Sequence, residues 1–433
     1  MNNRIWPQSY LKIPKRLHKR PPFFVLLTKN DYLCAANQEN DLENMIKNIT
    51  TDIRYIGVDD PDQHLFESQY VTPEGMCYNS YVLLDEKVAV FDTSDSRTME
   101  TWKQNLVGAL DGRQPDYLIV HHLEPDHASG IAEVCALYPQ MQIVCSAKAK
   151  QMMPQYFEDS TLEARVLVVK EGDTLSLGRH TLKFIMAPMV HWPEVMVTYD
   201  DADCVLFSAD GFGKFGVYDA DADDWACEAR RYYFNICGKY GTPVSTLLKK
   251  AAALDIRQIL PLHGPVLAGE QLAEALRLYT IWAAYDIETE GVFIAHASIH
   301  GNTAAAAGRL VEILKQKGCP KVAVSDLCRD DLGEAIEDAF RYGRMICMAS
   351  SYDAGVFPPM YDFLHHLDIK AYQRRRVGLV ENGSWAPSAA KTMRPMLEGM
   401  KQVEVVEPVV TLRGRLKDTD LPQLEALADA ILA

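Results

Sequence analysis

The sequence predicts an α/β protein in two parts: a layered αββα sandwich, followed by a doubly wound, five-stranded parallel sheet. Short strands separated by turns fill the chain from about residue 52, and helices follow them. An acidic turn at 286–290 interrupts this pattern, and strict alternation of strands and helices begins after it. Strands covered by helices pack in layers, whereas alternating strands and helices build parallel sheets with right-handed crossovers.

In the first part, short apolar runs between turn residues indicate the strands. The first three lie at 53–58, 81–93 and 115–122, and a helical stretch at 127–139 follows them. Further strands are expected at 141–146, 164–169, 180–188, 196–200, 203–210 and 258–264, and helices at 222–239, 243–254 and 266–285.

The second part has five apolar runs, each followed by a helix-length segment. The strands are expected at 292–298, 322–327, 345–350, 376–382 and 403–412. Helices are expected to begin near Asn302, Asp331, Pro359 and Pro387, with a last one from about Leu421 to the end. This order predicts a doubly wound parallel sheet of about 145 residues.

Composition excludes several classes of function. The 433 residues carry a formal net charge of -15, which argues against binding to nucleic acid or to an anionic membrane surface. No apolar run approaches the roughly 20 residues of a membrane-spanning helix. The ten cysteines form no C-x-x-C pair, which excludes a zinc ribbon or an appended rubredoxin module. Scattered cysteines are typical of reduced thiols in a cytoplasmic protein.

We therefore divide the chain into three segments: 1–44, 45–286 and 287–433. The first 30 residues hold several lysines and arginines and no acid, without the apolar core of a signal peptide. We expect 1–44 to be a flexible extension, or Met45 to be the true start.

Seven ligand-type residues recur at the ends of hydrophobic runs. Four lie close together in the run VHHLEPDHASG, and three others end the runs KFIMAPMVH, CVLFSAD and QILPLH. Such a set is large enough for two metal ions rather than one. The seven are His122, Glu124, Asp126, His127, His191, Asp210 and His263.

The spacing of the short motif suggests which metal is bound. Glu124 stands where dizinc metallo-β-lactamase-like hydrolases have a histidine, and a carboxylate makes the site harder and more anionic, which favours iron over zinc. We expect His122, Glu124 and His191 on one ion, Asp126, His127 and His263 on the other, and Asp210 as the bridge. A water could take the place of His127.

The first strand of the second part runs into Ser298-Ile-His-Gly-Asn-Thr303 and then a helix. Gly301 permits a tight turn, and the backbone N–H groups at a helix start bind an anion. The segment has no P-loop lysine and no G-x-G-x-x-G, so a single phosphate on a flat ring system fits best. The sequence thus predicts FMN.

Two later loops are expected to hold the flavin ring, because they follow strands at the same edge of the sheet. Tyr352 and Trp385 can stack on it. The predicted flavin-binding residues are Ser298, Ile299, His300, Gly301, Asn302, Thr303, Ser350, Ser351, Tyr352, Asp353, Gly355, Asn382, Gly383, Ser384 and Trp385.

Together these motifs resemble those of the flavodiiron proteins, or A-type flavoproteins. The motif H-x-E-x-D-H, then H-W-P at 191–193, L-F-S-x-D at 206–210 and L-H-G at 262–264 are similar to that family's diiron half. The motif S-x-x-G-N-T and the two later loops are similar to its flavin half. The resemblance covers about 45–433.

The resemblance implies a metallo-β-lactamase-like diiron domain at 45–286 and a flavodoxin-like FMN-binding domain at 287–433. It implies two non-heme iron ions, FMN, and reduction of O2 to water or of NO to N2O. It also implies a head-to-tail homodimer, or a dimer of dimers, because flavin and metal lie too far apart within one chain. We expect a separate electron donor, such as a rubredoxin-like protein.

One position departs from the family pattern. Many members carry a histidine near the diiron pocket where this chain has Glu67, so the resemblance gives no preference between O2 and NO. Two alternatives remain open at this point. One is a dizinc hydrolase fused to a flavodoxin, which Glu124 argues against. The other is a non-catalytic flavin electron carrier, which the complete ligand set argues against.

Overall fold

Two sheets, packed face to face, build the first part of the protein. In a computed structural model, the described residues are 47–159, 161–220 and 224–433, so the predicted extension at 1–44 lies outside them. Among the described residues, no helix has both the length and the apolar character needed to cross a membrane.

The first sheet has seven strands in the order β1-β2-β7-β8-β9-β10-β11. The strands up to β11 are β1 (Lys47–Asn48), β2 (Ile53–Tyr55), β3 (Val58–Asp60), β4 (Leu65–Phe66), β5 (Tyr70–Val71), β6 (Met76–Tyr78), β7 (Tyr81–Leu84), β8 (Val88–Phe91), β9 (Tyr117–Ile119), β10 (Gln142–Ser146) and β11 (Val166–Val169). The helices among them are α1 (Met99–Leu110), α2 (Pro125–Ala128), α3 (Ile131–Leu137), α4 (Ala147–Met152) and α5 (Thr161–Ala164). The pairs β3–β6 and β4–β5 form separate two-stranded ribbons.

The second sheet has six strands in sequence order, β12 to β17. They are β12 (Thr174–Ser176), β13 (Thr181–Met186), β14 (Met196–Asp200), β15 (Val205–Phe207), β16 (Gln258–Leu260) and β17 (Leu267–Ala268). Its helices are α6 (Trp225–Tyr232), α7 (Gly241–Ala251) and α8 (Gly269–Ala283).

Three apolar clusters hold these layers together. Phe91 of the first sheet stacks on Phe207 of the second, with ring centroids 3.8 Å apart, in the core between the sheets. Trp102 of α1 is fully buried against the outer face of the first sheet. Trp282 of α8 is buried in the cluster beyond the second sheet. The layers therefore follow the order helix, sheet, sheet, helix, as the sequence predicts.

The third sheet has the order β19-β18-β20-β22-β23, with β24 beside β22. Its strands are β18 (Thr289–Ala297), β19 (Val322–Asp326), β20 (Tyr342–Tyr352), β21 (Gly355–Val356), β22 (Arg376–Asn382), β23 (Glu404–Val405) and β24 (Val410–Leu412). The helices are α9 (Asn302–Gln316), α10 (Leu332–Arg341), α11 (Pro358–Ile369), α12 (Ala389–Glu398) and α13 (Leu421–Leu432). All pairings are parallel except that of the short β21 with β20.

Several predicted elements differ in detail from the structure. The strands predicted at 53–58 and 81–93 are each divided in two, and the helix predicted at 127–139 is divided into α2 and α3. The fifth strand is divided into β23 and β24 around Pro408, whose ring nitrogen has no hydrogen to donate to a neighbouring strand. The helix predicted at 222–239 begins at Trp225 and changes into a π-helical turn at Tyr233–Cys237. Wide turns of this kind often occur at functional sites.

The segment that joins the two parts is held by one buried guanidinium. Arg375 donates hydrogen bonds to the carbonyl groups of Tyr285 and Asp286 in that segment and of Phe340 and Tyr342 in the third sheet's half. Arg375 is 2% exposed. The predicted linker is therefore a fixed connection.

Candidate metal centre and flavin pocket

All seven predicted metal-ligating residues meet in one buried pocket at the ends of strands. His122 and Glu124 follow β9, and Asp126 and His127 lie in the single turn of α2. His191, Asp210 and His263 follow β13, β15 and β16. Because β15 and β16 run parallel, their ends bring Asp210 and His263 to the same edge of the sheet.

Four of these residues form a first ligand group. The Glu124 carboxylate oxygen Oε2 lies 3.1 Å from Nε2 of both His122 and His191. Asp210 Oδ2 lies 3.1 Å from His191 Nε2 and 3.3 Å from His122 Nε2. The donor atoms therefore converge on a space of the size of one ion.

The second ligand group comprises Asp126, His127 and His263. Asp126 Oδ2 lies 3.2 Å from His127 Nε2 and 3.3 Å from His263 Nε2. The second oxygen of Asp210, Oδ1, lies 3.5 Å from His127 Nε2 and 3.9 Å from His263 Nε2. Asp210 thus presents one oxygen to each group, which is the arrangement of a bridging carboxylate.

The protein alone leaves this pocket with unsatisfied groups. Asp126 Oδ1 and Asp210 Oδ1 are buried without a hydrogen-bond partner. The Nε2 atoms of His127 and His263 face each other at 3.0 Å. Buried polar atoms are normally paired, so these orphaned acceptors fit cations that accept their lone pairs.

The pKa values follow from the same geometry. Burial lowers the pKa of His191, but its hydrogen bonds with Asp210 and Glu124 outweigh this effect and raise that pKa to about 9. Burial raises the pKa of Asp126, but the neighbouring imidazoles of His127 and His263 hold it well below its ordinary value. The carboxylates are therefore ionised at neutral pH and ready to bind metal.

A cavity of about 540 Å³ lies at the carboxyl edge of the third sheet. Thirteen of the predicted flavin-binding residues line it: Ser298, Ile299, His300, Asn302, Thr303, Ser350, Ser351, Tyr352, Asp353, Asn382, Gly383, Ser384 and Trp385. Gly301 and Gly355 do not line it. The sequence interpretation missed four lining residues, Ala354, Ala386, Ser388 and Gly414.

One end of the cavity is built for an anion. Gly301 precedes α9 with φ of 83°, a left-handed conformation that a side chain would strain. The Ser298 hydroxyl is buried without a partner, and Thr303 Oγ1 lies 3.1 Å from Ser350 Oγ. These groups fit a phosphate at the start of the helix.

The other end is built for a flat ring. Trp385 is 89% exposed and Tyr352 is 45% exposed, so both aromatic faces are available. A Cβ atom at Gly383 would lie 2.8 Å from Pro387 Cα, so the backbone passes closely there. The cavity as a whole fits one flavin mononucleotide.

Comparisons with known proteins agree with this pair of sites. Residues 76–264 match the model of a family described as ODP family beta lactamase. The chain is 27% identical over 362 residues to the anaerobic nitric oxide reductase flavorubredoxin of Escherichia coli, which covers 81% of this chain and 74% of that relative.

Two solved structures share the fold. Rubredoxin oxygen:oxidoreductase from Desulfovibrio gigas is 25% identical, with a TM-score of 0.83 over 89% of this chain and 97% of that one. The flavodiiron protein from Giardia intestinalis is 22% identical, with a TM-score of 0.84 over 89% and 95%. In its fold and in this pair of sites, the chain is similar to the flavodiiron proteins.

Residues outside the motifs orient the imidazoles of the metal pocket. His122 Nδ1 lies 2.8 Å from Glu194 Oε1, and His263 Nδ1 lies 2.7 Å from the carbonyl oxygen of Cys77. These contacts direct both Nε2 atoms into the pocket. Sequence reasoning missed both partners, since a backbone carbonyl has no side-chain signal and Glu194 lies beyond the H-W-P motif.

The β4–β5 hairpin packs against the metal pocket. The Phe66 ring packs on the His263 ring with centroids 5.5 Å apart. Partial burial and the charge of Glu124 raise the pKa of the adjacent Glu67. The acid that replaces the common histidine is thus electrostatically coupled to the first ligand group.

Proposed function

We propose that this protein is a flavodiiron oxidoreductase that reduces O2 to water, or NO to N2O, with electrons that enter through FMN. One observation carries the proposal. A buried pocket with two ligand groups that share Asp210 occurs in the same chain as a cavity that fits a single-phosphate flavin. Neither a hydrolase nor a simple electron carrier requires both.

We assign the two iron ions to the ligand groups that the pocket contains. His122, Glu124 and His191 would hold one ion, Asp126, His127 and His263 the other, with Asp210 between them. When bound there, two irons and a flavin would supply the electrons for reduction. The carboxylates offset the positive charge of the ions, and Glu194 with the Cys77 carbonyl fixes the imidazoles.

We assign the flavin phosphate to the start of α9 and the ring to the outer loops. Ser298, Asn302 and Thr303 lie at the phosphate end, and Tyr352 and Trp385 at the ring end. The protein's own contribution is to orient the ring at an exposed edge, where a donor reaches it. Trp385, at 89% exposure, lies at that edge.

Separation within one chain favours a head-to-tail homodimer. Helix α11 begins beside the flavin loops, where the Phe357 N–H donates to the Ser350 carbonyl. It ends beside the metal pocket, where Lys370 contacts Asn235. Its 12 residues span about 18 Å at 1.5 Å per residue. Pairing of the flavin edge of one copy with the metal pocket of another would shorten this path.

A separate electron donor completes the proposal. The sequence contains no C-x-x-C pair, and two relatives carry rubredoxin in their names, so we propose a rubredoxin-like donor. The nine cysteines of the described residues are all free, which supports a reducing compartment such as the cytoplasm.

Metal content is the first test. Protein purified without added metal or chelator should contain about two irons per chain, by elemental analysis, because Glu124 makes the first group harder than a zinc site. Zinc at similar occupancy, also in protein from iron-supplemented cells, would contradict the iron assignment and favour a hydrolase.

Turnover is the second test. Anaerobic protein reduced through a rubredoxin and its reductase should consume O2 or NO, measured with electrodes. The rates for the two gases decide the substrate, since Glu67 gives no preference. Equal consumption with NADH alone would contradict the need for a separate donor.

A further inference from the structure

A buried lysine connects the flavin half with the wall of the metal pocket. Lys370 directly follows α11 and is 9% exposed. Its Nζ atom donates to the Asn235 carbonyl at 2.7 Å and lies 3.5 Å from the Tyr70 hydroxyl. Neither partner carries a negative charge, so the ammonium is held by neutral oxygen atoms.

Both partners belong to elements that touch the predicted ligands. Tyr70 lies on the β4–β5 hairpin, whose Phe66 packs on His263. Asn235 lies in the π-helical turn that follows Tyr232, and the Tyr232 ring lies 5.5 Å from the His263 ring. The ammonium is therefore one layer of side chains away from the metal pocket.

Fold stability does not explain a lysine at this position. Burial lowers the pKa of Lys370 to about 8, although the charge of Glu67 acts to raise it. An ammonium that is buried without a carboxylate costs free energy, whereas methionine would fill the same space without that cost. Packing alone therefore does not account for a lysine here, and its charge points to a role in function.

Glu67 lies in the turn of the β4–β5 hairpin that carries Tyr70, and its charge acts on Lys370 across this layer. Burial raises the pKa of the Cys237 thiol and of the Tyr70 hydroxyl far above neutral pH, so both are uncharged there. On α11 itself, burial lowers the pKa of His366, one turn before Lys370. Of these groups, Glu67 is therefore the acid on which the Lys370 ammonium chiefly acts.

We propose that Lys370 is a positioning residue for reduction in the metal pocket, where its ammonium is the counter-charge for Glu67. The proposal rests on the proposed function. Reduction adds negative charge to a pocket that already holds Glu124, Asp126 and Asp210, and a fixed positive charge nearby favours that change. The ammonium comes from the flavin half, so its position depends on correct docking of both halves.

The first experiment does not depend on turnover. Thermal unfolding of the purified wild type and of Lys370→Met is measured from pH 7 to pH 10.5. The folded protein binds this proton less tightly than the unfolded chain, with a pKa of about 8 against 10.5. The wild type should therefore gain stability relative to Lys370→Met as pH rises through this window. If the stability of the wild type and of Lys370→Met changed equally with pH, Lys370 would not be a buried ammonium and the proposal would fail.

The second experiment measures turnover against pH. Wild-type kcat should fall above about pH 8. Lys370→Met should turn over several-fold more slowly below that pH, and its kcat should show no such fall above it. Lys370→Arg keeps its charge, so its rate should persist above pH 8. In Glu67→Gln, kcat should begin to fall at a lower pH than in the wild type, because Glu67 acts to raise the pKa of Lys370.

A matched control removes a solvated lysine from the same half. Lys401 is exposed, so Lys401→Met should keep the wild-type dependence of kcat on pH. If kcat of Lys370→Met or Lys370→Arg fell above pH 8 as it does in the wild type, the proposal would be overturned. If Lys370→Met does not fold, Lys370→Arg alone tests the proposal. Absence of O2 and NO turnover in the wild type would instead refute the proposed function, while the unfolding test still stands.

Discussion

Among the residues that the structure describes, Asp210 is the one that joins the two ligand groups, since each of its carboxylate oxygens faces a different pair of imidazoles. Asp126, in contrast, faces only the second group. The two acids are similar in burial and chemistry, so they form a matched pair for testing how the groups depend on each other. A bridging ligand affects both ions, whereas a terminal ligand affects one.

Asp210→Asn should lower the metal content of both groups, and Asp126→Asn chiefly that of the second. An amide keeps the shape but removes the charge that offsets two cations. Elemental analysis of both variants, with circular dichroism to verify folding, measures the effect. Equal metal loss in the two variants would contradict the bridging role of Asp210.

Glu194→Gln tests the residue that orients His122. The amide can still contact Nδ1, but it lacks the charge that makes the imidazole a stronger ligand. We expect a loss of metal affinity of about 10-fold or more, measured by competition with a chelator. Asp92→Asn is a useful comparison, because Asp92 binds His121, which is not among the predicted ligands. The proposal would fail if Glu194→Gln bound metal as tightly as the wild type.

At the scale of elements, loops at strand ends build both sites, and the strands fix their starting points. The loop after β22 shows how close the fit is, because Gly383 passes within side-chain contact distance of Pro387 and Ser351. In α9, by contrast, Gly308 has open space where a Cβ would lie. Gly308 can therefore carry a methyl group, whereas Gly383 in the same half cannot do so unless the loop moves.

Gly383→Ala should weaken FMN binding by about 10-fold, roughly 1.4 kcal/mol, because the added methyl group displaces the loop from the ring. Flavin fluorescence during titration of flavin-free protein measures this. Gly308→Ala should leave FMN affinity unchanged and stabilise the helix by roughly 0.5–1 kcal/mol. Equal FMN affinity in both variants would show that the loop is not tightly fitted.

The sequence predicted the site residues whose polar side chains lie at strand ends. It predicted few of the groups that act through the backbone or through packing between distant parts of the chain. The motif residues were found because ligand-type side chains interrupt apolar runs, as Asp210 does after Phe207. The Cys77 carbonyl and Lys370 were not, because a carbonyl leaves no side-chain pattern and the partners of Lys370 lie far from it in the sequence. The π-helical turn at Tyr233–Cys237 has no distinct periodicity in so short a segment.

At the scale of the whole molecule, a buried ionic group joins the two halves. Arg230 of α6 contacts Glu288 at 2.7 Å and Glu337 of α10 at 3.5 Å. Trp282 donates to the same Glu288 at 2.6 Å. Burial raises the pKa of Glu337 to about 8, so one proton is held where the halves meet.

This proton predicts a pH dependence of the free energy of unfolding. The folded protein binds it more tightly than the unfolded chain, so the wild type should lose stability as pH rises from 4.5 to about 8. The slope is at most about 1.4 kcal/mol per pH unit. Urea unfolding should show this loss relative to Glu337→Gln. The exposed Glu425→Gln serves as control, and identical slopes for Glu337→Gln and wild type would contradict the assignment.

The carbonyl clamp of Arg375 has a consequence for how the rate depends on protein concentration. These bonds hold the connecting segment on both sides, which opposes a swing of the flavin edge towards the metal pocket of its own chain. In the proposed head-to-tail pair, electrons would pass only while two copies are associated. Dilution below the dissociation constant of that pair should lower the specific activity of each molecule, although every fold, flavin and metal ion remains intact.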